Sequence, residues 1–292
     1  MNRVQKSVIG AAALGALSFA GAALAADLPV KAAPMYAPAP IYSWTGFYLG
    51  GHVGAGWGTT ETTLDVGNTF IGAPVSQTVN QLISGTLGLQ LPIAQTQMNG
   101  FLGGLQTGYN WQSGVFVFGV EGDITWSGIK GNSPCVLVFN CTSEVRWIAD
   151  ITGRLGVTVG DRGLVYIKGG AAWADSRVGI NQSVTVTTGP FTAFGGVSGS
   201  ETNTRFGGTL GTGIEYGFMP GWSVKVEYDY YDFGKKDVVV PITASGGISG
   251  PNIRGPVTGS IGILAPVNVN EQVHTIRAGV NYHFNTPVVA KY

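Results

Sequence analysis

The sequence predicts an all-β protein: an eight-stranded antiparallel transmembrane up-and-down β-barrel with long extracellular loops. Three observations carry that expectation. The chain opens with an export segment and contains no second long apolar stretch. Short runs alternate apolar and polar residues along most of the remainder. Aromatic residues recur at ten-residue intervals on the apolar side of several of those runs.

Arg3 and Lys6 precede an uncharged stretch, Ser7 to Ala26, rich in Ala, Leu and Gly, and Ala23-Leu24-Ala25 fits a small-x-small cleavage site. A retained membrane helix is the alternative; the Ala/Gly content and the cleavage site argue against it. Residues 1–25 are therefore read as a signal peptide. Cleavage removes two of 16 bases and none of 16 acids, leaving 14 against 16. That balance offers no basic surface to nucleic acid, and no such partner is expected. No later segment approaches the ~20 apolar residues of a membrane helix, so any spanning structure in the mature chain must be a barrel. Residues 26–43 hold Pro29, Pro34, Pro38 and Pro40 among alanines and read as an extended periplasmic linker.

Side chains alternate faces along a strand, and eight two-faced runs follow in order. Phe47 to Trp57 sets Phe47, Leu49, Val53 and Trp57 against Tyr48 and His52. Phe101 to Gln112 sets Phe101, Leu105, Tyr109 and Trp111 against Gln106 and Asn110. Val115 to Ile129 sets Phe116, Phe118, Val120, Ile124 and Trp126 against Glu121 and Asp123. Val145 to Val159 sets Trp147, Ala149, Ile151 and Leu155 against Arg146, Asp150 and Arg154. Leu164 to Asp175 sets Val165, Ile167 and Trp173 against Tyr166 and Lys168. Arg205 to Phe218 sets Phe206, Leu210, Ile214 and Tyr216 against Arg205, Thr209 and Glu215. Trp222 to Phe233 sets Trp222, Val224, Val226 and Tyr228 against Lys225, Glu227 and Asp229. Gln272 to Phe284 sets Ile276, Ala278, Val280, Tyr282 and Phe284 against Thr275, Arg277, Asn281 and His283. The barrel is thus expected over residues 44–284, with a periplasmic tail at 285–292.

The connections alternate in length. Ser113-Gly114, Gly160 to Gly163 and Met219-Pro220-Gly221 are tight turns with suitable residues, whereas 58–100, 130–144, 176–204 and 234–271 are long. Short turns on one side and long loops on the other match the periplasmic and external ends of an outer-membrane barrel. The apolar content of 75–93 and 238–269 suggests strands that continue above the membrane; two additional strands are the alternative. Phe47 and Trp57, Phe101 and Trp111, Phe116 and Trp126, and Phe206 and Tyr216 are each ten residues apart. Ten steps of ~3.3 Å at a ~40° tilt give a height of about 25 Å, the spacing of the two aromatic girdles. Trp147, Trp173, Trp222 and Phe284 complete the expected girdles. A soluble β-sandwich has no reason to keep that interval.

Trp44-Thr-Gly-Phe-Tyr-Leu-Gly-Gly51, Gly153-Arg-Leu-Gly156, Glu227-Tyr-Asp-Tyr-Tyr-Asp-Phe-Gly234 and Arg277-Ala-Gly-Val-Asn-Tyr-His-Phe284 together span nearly the whole predicted barrel. In these segments the chain resembles the alphaproteobacterial small porin-like outer-membrane proteins, the RopB-type surface antigens with an OmpA-like barrel. The resemblance implies outer-membrane location and a surface or envelope-integrity role. It supplies no catalytic residues. Outer-membrane strands commonly end the chain on an aromatic that the barrel-assembly machinery reads; Phe284 and Tyr292 both qualify.

On the predicted lumen face lie Glu121, Asp123, Asp150, Glu215, Glu227 and Asp229, with Arg146, Arg154, Lys168, Lys225 and Arg277. An eight-stranded barrel is just wide enough for side chains to fill it, so these charges are expected to pair. The reading is a network that plugs the lumen; a narrow ion path is the alternative. His52 and His283 also face the lumen, but no histidine stands near a serine at a convincing strand spacing, so no catalytic constellation is assigned. No cofactor or metal site is expected. Cys135 and Cys141, exported and in a loop, form the disulfide candidate. The function expected is a non-enzymatic barrel supporting the envelope and presenting loops, with a small diffusion channel or a loop-mediated adhesin or receptor as alternatives. The partners expected are outer-membrane lipids, lipopolysaccharide and the assembly machinery; an external partner is not identified.

Overall fold

The structure, a computed structural model, describes residues 42–65, 70–71, 90–135, 139–251, 253, 255 and 257–284. The expected signal peptide, residues 26–41 of the linker, the 285–292 tail with Tyr292, and the segments 66–69 and 72–89 lie outside them.

Among the described residues nine strands follow one another: β1 (Gly46–Asp65), β2 (Phe70–Ile71), β3 (Gln90–Ser113), β4 (Phe116–Cys135), β5 (Phe139–Val159), β6 (Gly163–Thr188), β7 (Phe191–Met219), β8 (Trp222–Ser249) and β9 (Val257–His283). Every neighbouring pair is antiparallel, and β1 pairs with both β3 and β9, closing a ring of eight. The two-residue β2 lies outside that ring, against Ile263 and Leu264 of β9. The ring has eight strands, not ten: 238–249 and 257–269 lengthen β8 and β9. Closure leaves no free edge, the condition for a sheet in hydrocarbon. At the tight end, Gly114 takes φ +60 between β3 and β4, a conformation that favours glycine.

The strands reach much further than the membrane requires. Phe191, at the start of β7, lies fifteen residues beyond the girdle residue Phe206, which at ~3.3 Å per residue and ~40° tilt is roughly 38 Å of hairpin above the bilayer. The β7–β8 ladder breaks between Gly199↔Ile242 and Gly208↔Asp232 and then resumes. Across that break Lys236 Nζ donates to the Thr204 carbonyl at 2.7 Å. The long connections of the sequence are thus mostly ordered extensions of the strands.

The aromatic rows form as spaced. Near the tight turns, Phe47 lies 5.6 Å from Phe284 and Trp222 5.0 Å from Tyr282, ring centre to ring centre. One band higher, Trp57 stacks on His274 at 5.9 Å and Trp173 meets Phe206 at 5.5 Å. Trp126 and Trp147 are cross-strand partners in the same row. Phe101, Trp111, Phe116 and Tyr216 also project outward, all about half exposed or more in the isolated chain. Between the rows the outer surface is Leu49, Val53, Leu105, Val120, Ile151, Ile167, Leu210, Ile214 and Val226, all exposed. Such a continuous apolar belt is what hydrocarbon rather than water stabilises.

Candidate functional site

The inward residues of β9 order the lumen from the periplasmic end: His283, Asn281, Gly279, Arg277, Thr275, Val273, Glu271, Val269, Val267 and Ala265, all buried. At the bottom, the segment before β1 turns into the barrel mouth. Trp44 is buried against Val117, Leu164 and Tyr166, with Tyr42 beside it. Its backbone N–H donates to Gln112 Oε1 at 2.9 Å, which anchors it there.

Above this plug lies the charge network. Arg277 Nη1 donates to both carboxylate oxygens of Asp123 at 3.0 Å, Nε to Asp229 at 2.9 Å, and Nη2 to Glu227 at 2.9 Å, to Asp229 and to the Tyr231 hydroxyl. Lys168 Nζ lies 2.7 Å from Glu227, 3.2 Å from Glu121 and 3.4 Å from Asp229. Lys225 lies 3.4 Å from Glu121 and 3.3 Å from Glu227. Arg154 donates to Glu215 at 2.9 Å and to the Tyr48 hydroxyl at 2.7 Å, and Tyr48 donates in turn to Glu121 at 2.7 Å. The Arg154 guanidinium also sits 3.8 Å from the centre of the Tyr166 ring, and Tyr166 donates to Glu227 at 2.7 Å. Asp150 accepts from Tyr231 at 3.0 Å. Glycine makes room for the two tyrosines: a Cβ on Gly108 or Gly213 would collide with the hydroxyl of Tyr48 or Tyr166. Ion pairs and charge-assisted bonds of this kind are what let charges stay buried at this depth.

Ten of the eleven charges expected in the lumen are there and buried. Arg146 is the correction. The β5–β6 ladder shifts between Val145 and Trp147, leaving Arg146 without a cross-strand partner. Such a bulge re-aims the extra residue. The Arg146 side chain is 48% exposed and pairs with Asp175 at 2.5 Å. Six carboxylates therefore face four cations in the network.

Two further charges lie in the lumen that the expected charge list left out, although Arg205 already stood on the polar face of its run. Arg205 and Glu271 meet above the apolar layer at 3.5 Å, with Ser176 donating to Glu271 at 2.8 Å. Alternation carried both: Arg205 heads the polar face of its run, and stepping back by twos from Arg277 reaches Glu271. Burial pushes the Glu271 carboxyl above its ordinary range, against the opposing pull of Arg205 and Ser176.

A serine does stand beside a histidine, contrary to the strand-spacing argument. His283 Nε2 lies 2.9 Å from Ser223 Oγ and 3.3 Å from Glu215. The sequence separation of 60 residues hid this pair; cross-strand neighbours are invisible to local spacing. The arrangement is not that of a nucleophile and its base. Serine and carboxylate meet the same ring nitrogen, the Ser223 hydroxyl donates to Glu215 at 2.5 Å, and all three are buried. His52 is held by Gln106 and by Thr125 at 2.9 Å. Among the described residues, no cluster of His, Cys, Asp and Glu is suited to a metal ion. Cys135 and Cys141 are joined in a disulfide near the external end of the β4–β5 hairpin.

A closed eight-strand ring, an apolar belt between aromatic rows and a charged, filled lumen point to a bacterial outer-membrane barrel. The sequence matches the outer membrane protein beta-barrel domain family over residues 10–284. The chain belongs to this family. It is 31% identical over 286 residues to the 31 kDa outer-membrane immunogenic protein of Brucella melitensis, covering 96% of this chain and 100% of that protein. It is 29% identical to the 22 kDa outer membrane protein of Rhizobium leguminosarum, over 73% of this chain and 72% of that one. The 25 kDa outer-membrane immunogenic protein of Brucella abortus is 26% identical over 81% of this chain and 88% of its own length. These are alphaproteobacterial proteins, as the resemblance implied. The protein is an outer-membrane β-barrel protein.

Proposed function

We propose that this barrel is a non-enzymatic, non-conducting envelope protein that anchors tall external hairpins in the outer membrane. The observation that carries this reading is the network around Arg277. Its guanidinium contacts residues of β4 and β8 from β9, so a single buried side chain ties opposite parts of the wall across the lumen. A filled lumen of this kind supports the wall and obstructs ions. The Ser223–His283–Glu215 cluster, sealed under Trp44, gives no reason to add catalysis. The names of the immunogenic relatives support a surface role for the hairpins of this chain too. Export by residues 1–25, assembly by the barrel machinery through a C-terminal aromatic, and contact with lipopolysaccharide belong to the same reading.

Conductance of the refolded full-length mature protein in planar bilayers tests it. The expected record shows at most small, intermittent openings. Stable openings of wide-porin size would overturn the filled-lumen reading and favour the diffusion channel.

A further inference from the structure

Above Glu271 the lumen changes character. Val178, Val238, Val240, Val267 and Val269 form a buried cluster, with Leu64, Ile93 and Ile242 packed against it. Over this cluster lies a cavity of about 240 Å³, walled by residues such as Leu64, Ile93, Val178, Val240, Ile242 and Val267. The Cys135–Cys141 disulfide is part of the same wall. Among the described residues, no charged side chain lines it. Of the four hydroxyl residues in the wall, Thr62, Thr96, Thr142 and Ser143, two are engaged with other hydroxyls: Thr96 bonds Ser133 at 2.6 Å and Ser143 bonds Thr60 at 3.1 Å. Among the described residues, none of the lining side chains carries a buried polar atom without a partner.

These facts decide what the cavity can hold. Water needs two to four polar partners to sit in a cavity, and apolar cavities of this kind stay dry and take up apolar molecules. A charged ligand would lose its hydration with no opposite charge among the described lining residues to replace it. A cavity of about 150 Å³ holds benzene, with six carbons; scaled by volume, this one holds about ten. The floor is closed by the Arg205–Glu271 pair and, beneath it, by Met98, Leu102, Ile129, Ile148, Phe233 and Val273, so a molecule entering from outside stops here.

We propose that the external vestibule of the barrel is a binding site for one uncharged, apolar molecule of about ten carbon atoms. It is separate from the charge network and does not depend on whether the lumen conducts. The molecule can arrive free from outside or as the end of a lipid acyl chain; the chemistry recognised is the same.

The test uses the full-length mature protein in lipid nanodiscs, labelled at Ile, Leu and Val methyl groups, with naphthalene as the probe. The expected result is saturable shifts at Val178, Val240, Val267 and Ile242, while the lipid-facing Val53, Ile151 and Leu210 change only in proportion to probe in the bilayer. The charged 1-naphthoate should give no saturable shift. Ala265→Phe, which adds a ring to the cavity wall, should weaken naphthalene binding at least tenfold; Val240→Phe serves if that variant fails to refold, and the unmodified protein decides by itself. Nuclear Overhauser contacts from the vestibule methyls to lipid chains, lost in chain-deuterated lipid, identify the acyl-chain source; their absence with saturable naphthalene binding identifies the free molecule. Vestibule shifts that merely follow those of Val53, Ile151 and Leu210, or binding of 1-naphthoate as tight as naphthalene, would overturn the proposal.

Discussion

The lower and upper halves of this barrel are built from the same strands with their faces exchanged. Within the membrane, β9 turns Ile276, Ala278 and Val280 outward and Thr275 and Arg277 inward. Above it, β9 turns Asn268, Asn270 and Gln272 outward and Val267, Val269 and Val273 inward. The parity of the strand never changes; only the chemistry at each parity does. In β8 parity changes too: the ladder shifts between Asp232 and Lys235, where Gly234 takes φ +60, and the inward set passes from Lys225, Glu227 and Asp229 to Val238 and Val240. The cause in both strands is the medium outside. Hydrocarbon selects an apolar outer face and leaves the polar groups to pair in the lumen. Water selects a polar outer face and lets the lumen become an ordinary hydrophobic core. One ring is therefore a membrane protein below and a soluble β-barrel above.

The largest break in this comparison comes from emptying the centre of the lower half. Arg277→Ala removes the guanidinium shared by Asp123, Glu227 and Asp229 and leaves buried carboxylates short of a partner, at a cost of about 3–5 kcal/mol. The surface pair of Lys130 and Glu144, 2.8 Å apart with the lysine side chain 63% exposed, should lose no more than about 1 kcal/mol in Lys130→Ala. Urea unfolding of both variants from lipid vesicles measures the difference. Equal costs would mean the lumen is hydrated enough to replace Arg277 with water, which would also weaken the non-conducting reading.

Next in size is a pair of lysine scans that should give opposite answers at the two levels. Leu105 faces lipid near mid-membrane, and Leu105→Lys should cost roughly 2–4 kcal/mol. Asn268 faces outward above the membrane beside Asp237, so Asn268→Lys should stay within about 0.5 kcal/mol. Inward at that level, Val267→Lys buries a charge in the apolar cluster, at a cost of the order of 3 kcal/mol. The same urea unfolding from vesicles reads all three. An outward lysine that is cheap at Leu105, or costly at Asn268, would show that the membrane boundary has been placed at the wrong height.

How much of this was legible beforehand follows from the exchange of faces. Between the aromatic rows the alternation is unbroken and of one sign, so the eight runs, their facing and ten lumen charges could be read directly. Two kinds of event defeated the reading. At Arg146 a single extra residue breaks parity, and nothing in Val145-Arg-Trp147 marks a bulge, because its determinant is the register of the neighbouring strands. Above the rows the sign inverts, so the apolar content of 238–269 showed that the strands continue but not that Val267 and Val269 turn inward. The disulfide candidate was accessible from sequence because the two cysteines are close along the chain. Ser223 and His283 were not, because only the closure of β8 on β9 brings them together.

The smallest effect concerns a carboxyl that sits between apolar layers. Glu271 is buried with Val269 on one side and Val273 on the other, and its partners are Arg205 at 3.5 Å and Ser176 at 2.8 Å. Burial raises its pKa in the folded barrel. The folded state then holds the proton more tightly than the unfolded state, in which glutamate titrates near its ordinary value of about 4.3. Stability should therefore increase as pH falls through the raised value, with the gain complete below about 4.3. Glu271→Gln removes this titration while keeping a group that can accept from Ser176. Urea unfolding from zwitterionic vesicles across acid and neutral pH, wild type against variant, isolates it from every other titrating group. The stability difference, wild type minus variant, should grow toward acid pH. A difference that shrinks toward acid would mean that attraction to Arg205 outweighs burial at this position. The upper lumen would then be held by an ion pair, as the lower lumen is, and the contrast between the two halves would be one of degree.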